Sequence, residues 1–149
     1  MRPPYYAVAD RRVGPFGFEA TALKLDIPKQ LAYWRSGAVD NLETAEILIE
    51  KGKLMEGLFF CHLTIEKALK AHVTKATSDV PPKTHNLKRL ADLAGLTFKE
   101  SYYEFLATMM EFQIEGRYPE ITIKSPSKKV SSSYLKKSKE FVEWLNVQL

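Results

Sequence analysis

Three groups of polar residues stand where a plain helical core has no use for them. His62, Glu66 and Lys70 recur at every fourth residue, with Lys67 beside them. On a helix that spacing draws one line of side chains, and Glu before Lys at i, i+4 is the favourable order for an ion pair. A carboxylate so placed can orient a lysine whose ammonium holds a phosphate. The plain alternative is a salt bridge on a solvated strip. Thr84 and His85 form the second group, with the threonine read as a helix N-cap and the histidine in the first turn. Arg117 and Tyr118 form the third, just before Pro119, where an arginine either meets an anion or satisfies the last carbonyls of a helix. A phosphate-bearing ligand needs two or three convergent cations. Lysine supplies a point charge, arginine a fork, and histidine a donor whose charge changes near neutral pH. The expectation is that Glu66, Lys67, Lys70, His85, Arg117 and Tyr118 share one cleft, with Glu66 paired to a cation and Tyr118 at the edge.

Other chemistries lack their residues. There is no glycine-rich phosphate loop and no HExxH, and Cys61 is the only cysteine. His62 and His72 would share a helix but stand about 15 Å apart along its axis, too far for one metal ion. No metal and no cofactor are expected. No run of about 18 apolar residues offers a membrane span. A single cysteine and a start unlike a secretory signal point to the cytoplasm. The 149 residues, 45% hydrophobic and 27% charged, fit one soluble globular domain and exclude a disordered, collagen-like or disulfide-built chain. The net charge of +4 is carried by residues 117–149, chiefly Lys124, Lys128, Lys129, Lys136, Lys137 and Lys139. Such a run attracts phosphates. The plain alternative is a solvated helix face, on a C-terminal helix whose end favours basic side chains.

The elements that must position these groups are helical. Residues 1–28 hold four of the eight prolines and no helical period, and read as an extended N-terminal arm. Its apolar residues, Tyr5, Tyr6, Phe16, Phe18 and Leu23, should lie against the body or a neighbouring chain. From Leu31, Trp34, Ala38, Leu42, Ala45 and Ile49 form one apolar stripe that ends at Gly52. A second helix, over about 53–74, is apolar nearly all round from Leu54 to Ile65 and should be central. A short third helix runs from Thr84 to Gly95. A fourth begins near Phe98 and stops by Tyr118, because Pro119 disfavours helical backbone in the residue before it. A fifth follows Ser125 or Ser127 and buries Tyr134, Phe141, Leu145 and Leu149. No run alternates long enough for a sheet. The prediction is an all-α, antiparallel up-and-down bundle of about five helices over 29–149.

The segments AVDNLETAEILIEKGKLMEGLFFCHLTIEKALKAHV, PPKTHNLKRLADLAG and EGRYPE, followed by an amphipathic helix, resemble the HEPN domain family over residues 31–147. That resemblance implies a helical bundle, a homodimer, and a module that binds a nucleotide or a small nucleotidyltransferase partner. Other members are toxins or defence ribonucleases that depend on an arginine followed four to six residues later by a histidine. Here YPEITIK follows Arg117, and no histidine comes after His85. The resemblance therefore implies the non-ribonuclease, nucleotidyltransferase-associated branch, with no enzyme activity. The alternative is a metal-independent ribonuclease, of toxin–antitoxin or defence type, assembled in space from His85 and Arg117. A surplus of aromatic residues (Tyr102, Tyr103, Phe112, Tyr118, Trp144) beyond the needs of a small core adds to the homodimer expectation.

Overall fold

Residues 25–113 and 124–149, with the backbone of residues 12–13 and 19–20, are described by a computed structural model. The expectations for Arg117, Tyr118 and the apolar residues of the arm lie outside the described residues. Two short strands, β1 (Arg12–Val13) and β2 (Glu19–Ala20), pair antiparallel within the N-terminal segment. The rest of the described chain is built on five α-helices.

Helix α1 (Ile27–Glu50) begins four residues before Leu31. Asp26 caps it by accepting from the amide of Lys29 at 3.1 Å, and Pro28 sits in its first turn, where a missing N–H costs nothing. Pro28, expected in the arm, thus belongs to a helix start. Gly52 takes a φ of +80° just past the end, and α2 (Leu54–Thr77) follows at once. The two helices thus form a tight hairpin. They approach so closely that a Cβ on Gly57 would collide with Ile49 Cγ1.

Fourteen of the 24 residues of α2 are buried, against three of 24 in α1, so α2 is the central helix as its all-round apolar stretch predicts. It packs on α1, on α3 (Leu87–Leu93), on α4 (Glu100–Met110) with the 3-10 turn Glu111–Gln113 that follows it, and on α5 (Lys128–Gln148). Leu58, Ile65 and Leu69 of α2 meet Leu106, Met109, Phe141 and Leu145 in one core.

The N-cap of α3 is Asn86, not Thr84. Asn86 has extended backbone and accepts from the amide of Arg89, whereas the Thr84 hydroxyl accepts from the amide of Asn86 in the preceding turn. Of the two serines offered for α5, Ser127 is the cap. The lysines of α5 do not cluster at its C-terminus. They occupy its start and middle, and its last turn has no basic residue. The dipole explanation for them therefore fails, since cations at a helix start oppose the dipole. Of the aromatic surplus, Tyr102, Tyr103, Phe112 and Trp144 pack on other rings within the chain. Phe98 lies 5.2 Å from Phe141 and 5.6 Å from Trp144, Tyr102 is 5.4 Å from Phe141, and Phe112 is 6.2 Å from Tyr134. These rings weld α4 to α5 and supply no separate reason for a dimer.

Candidate functional site

The line His62–Glu66–Lys70 lies along α2, but it is buried rather than solvated: the three residues are 0%, 4% and 6% exposed. Lys70 Nζ donates to Glu66 Oε2 at 3.1 Å and stands 5.3 Å from the centre of the Trp34 ring on α1. His85 comes in from the loop before α3, and its Nδ1–H donates to Glu66 Oε1 at 2.7 Å. His62 Nε2 is 3.4 Å from the same oxygen. One carboxylate thus gathers three basic side chains from two segments.

The loop that carries His85 is set by its own backbone. The Thr84 amide donates to the Pro82 carbonyl, the Thr84 hydroxyl takes the Asn86 amide, and Asn86 starts α3. His85 is held between these contacts, with its side chain 56% exposed. Glu66 receives the Nδ1 proton, which leaves Nε2 as the nitrogen open to chemistry. This is how a carboxylate fixes the tautomer and orientation of an imidazole.

Burial pushes the Glu66 carboxyl up, but His62, His85 and the Lys70 ammonium more than offset it and hold it at about 2. Glu66 is an anion at neutral pH, and Lys70 is engaged in neutralising it. Lys70 is thus withdrawn from solvent, while the His85 imidazole stays exposed. Lys67, half-buried one residue on, lies with its stem against Gly37 of α1, where a Cβ would come 2.9 Å from its Cδ. Glu66, Lys70 and His85 are thus brought together, Lys67 lies along the α1–α2 seam, and Arg117 and Tyr118 are outside the described residues.

Two members of the cluster go beyond what the sequence predicts. His62 aligns with the others but has no role assigned by its spacing. Trp34 belongs to an apolar stripe, yet its Nε1 is buried and has no hydrogen-bond partner among the described residues. An indole N–H on a buried stripe is the available signal, because a buried tryptophan usually finds a partner. No group of three potential metal ligands exists among the described residues, and no helix there is long and apolar enough to cross a membrane. Cys61 is buried, and burial pushes its thiol up to about 12, so it is no nucleophile.

Acid lability follows. A carboxyl held at about 2, against an ordinary 4.5, adds stability that is complete above pH 4.5 and lost as pH falls through 2. His72 acts in the same direction from a higher pH. Burial lowers its proton affinity, and its Nε2–H donates to the Leu145 carbonyl at 2.7 Å. The unfolded chain therefore takes up that proton first as pH falls below 6.5. Urea midpoints should decline below pH 6.5 and again below 4.5, and Glu66→Gln should remove the second decline only. A flat profile from pH 7 to 3 would contradict both assignments.

A family model for the HEPN domain matches residues 31–148. Two crystal structures share the fold. TT1696 from Thermus thermophilus is 21% identical, with a TM-score of 0.68 over 80% of this chain and 98% of that one. ST0689, an archaeal HEPN homologue, is 16% identical, with a TM-score of 0.61 over 79% of this chain and 96% of that one. No curated protein matches the sequence.

Proposed function

The chain belongs to the HEPN domain family, and from that premise we propose that it is a non-catalytic cytoplasmic module whose Glu66–His85 cluster binds the phosphate of a nucleotide. The nucleotide is free or presented by a small nucleotidyltransferase partner. The observation that carries this reading is the 2.7 Å bond from His85 to a buried carboxylate, which holds an exposed imidazole in one orientation. When protonated, such a ring donates from Nε2 to a phosphate oxygen without first losing rotamer freedom. Lys67, from the α1–α2 seam, and Arg117 from the EGRYPE segment are the cations proposed to complete the contact, with Tyr118 at the rim. A homodimer through α1, where Tyr33 and Ile47 are 61% and 59% exposed, belongs to the same proposal.

The same hydrogen bond favours one other reading. An imidazole oriented by a carboxylate is also the arrangement of a general base, which with Arg117 would serve RNA cleavage. Calorimetric titration with ATP separates the two. The binding module predicts saturable binding, weakened about tenfold in His85→Ala and in Arg117→Ala, while RNA stays intact on long incubation. RNA cleavage abolished by His85→Ala would establish the ribonuclease instead. Absence of any nucleotide binding, with RNA intact, would leave neither standing.

A further inference from the structure

From residue 121 to residue 139 the chain has six lysines and no acidic residue. On α5 the residues facing the core are Ser131, Ser138, Phe141, Val142 and Leu145. At about 100° per residue, the positions between them turn the other way, where the exposed Glu140 and Glu143 accompany the more numerous lysines. We propose that this outward face of α5, carrying Lys129, Lys136, Lys137 and Lys139 around Ser132 and Ser133, docks the phosphate backbone of a nucleic-acid duplex.

Four observations lead there. All six of these side chains are exposed. The lysines form two groups, and the two serines between them are short enough to let a phosphate strand approach the helix and long enough to donate a hydroxyl to it. From Lys128 to Lys139 the helix advances about 16 Å, roughly five base-pair steps of duplex axis. Lysines at the first turn, with no acidic residue there, oppose the dipole of their own helix, so helix stability does not account for them.

The surface extends beyond one helix. Lys128 donates to the Glu50 carbonyl at 3.3 Å, which sets the start of α5 beside the α1–α2 turn. That turn adds Lys51 and Lys53, both exposed. The Glu50 side chain is exposed there too, and the basic groups outnumber it.

Charge alone would also suit an anionic membrane. A surface-seeking helix, however, needs a continuous apolar face to insert, and that of α5 is packed in the core, with only the isolated Val130 and Val147 left exposed. Single strands are held by stacking on aromatic side chains, and the aromatic residues of α5 are engaged elsewhere. Tyr134 packs on Phe112, and Trp144 packs on Phe98 and Phe141. What remains is contact with backbone phosphates, without base readout. The inference uses no residue of the Glu66 cluster and stands or falls apart from it.

The test is fluorescence anisotropy of the full chain with a labelled duplex of about 20 base pairs, at salt between about 50 and 200 mM. Binding should be indifferent to sequence and fall steeply with salt. Lys136→Gln/Lys137→Gln should weaken it about tenfold at the lowest salt and flatten the salt slope by about two. Lys88→Gln/Lys99→Gln removes the same charge from α3 and the loop before α4, and should weaken it less than about twofold. All four lysines are exposed, so circular dichroism should report an unchanged fold. Equal losses in the two pairs, or no binding at the lowest salt, would overturn the proposal. So would tighter binding to phosphatidylserine vesicles than to the duplex.

Discussion

Replacing Glu66 by alanine is expected to destabilise the protein by about 3–5 kcal/mol. The carboxylate is 4% exposed and is the acceptor for Lys70, which is itself 6% exposed. Removing it strands an ammonium beside an indole ring, with no other acceptor within hydrogen-bond reach among the described residues. His85 loses less, because its half-exposed ring returns to water. The cost should therefore lie in Lys70 rather than in the histidine. A double variant, Glu66→Leu with Lys70→Met, discards both charges together and should recover most of the loss, since a buried pair often breaks even against apolar side chains of similar volume. Urea denaturation of the parent, Glu66→Leu, Lys70→Met and the double variant closes the cycle. A Glu66→Ala loss below about 1 kcal/mol would mean that water reaches the pair in solution.

The other large effect belongs to Leu58, which is fully buried where α1 and α2 come closest. Leu58→Asp should abolish cooperative folding. An unpaired buried carboxylate costs several kcal/mol, against a total stability of about 5–15 kcal/mol. Leu58→Ala removes only contacts and leaves a cavity, and should cost about 2–5 kcal/mol with the fold intact. Val39→Asp, on the exposed side of α1, should change stability by less than about 0.5 kcal/mol. Thermal melts of the three rank them directly. A Leu58→Asp protein melting within a few degrees of its parent would remove α2 from the centre of the core.

The centrality of α2 is legible because no one-sided helix carries LMEGLFFCHLTI, and its neighbours have to cover it on several sides. Helix ends are legible where glycine is required, at Gly52 and Gly95, both at positive φ. They are less so where residue type is ambiguous. Thr84 and Asn86 are both cap formers, and only the extended backbone at Asn86 decides between them. Pro28 misleads because proline both ends helices and opens them, and Asp26 two residues earlier is the cue for opening.

In the site, the four-residue period places Glu66 and Lys70 together, since a helix makes that contact local. It gives no measure of burial, and burial is what turns a surface pair into an anion gathering three partners. The approach of His85 spans 19 residues of sequence and is signalled only by the order of motifs shared with the family. The contact of Lys70 with Trp34 depends on the packing of α1 on α2, which no local pattern encodes.

Cys61 makes the molecule its own stopwatch. It is the only thiol in the chain, fully buried on the central helix and held protonated at neutral pH. A thiol reagent in solution reaches it only when α2 parts from its neighbours. The rate of modification therefore counts openings of the native state, free of background from any second cysteine. At low reagent concentration that rate reports the population of the open form, and at saturating reagent the opening rate itself. Every variant discussed above can be timed on the same clock under native conditions, without denaturant.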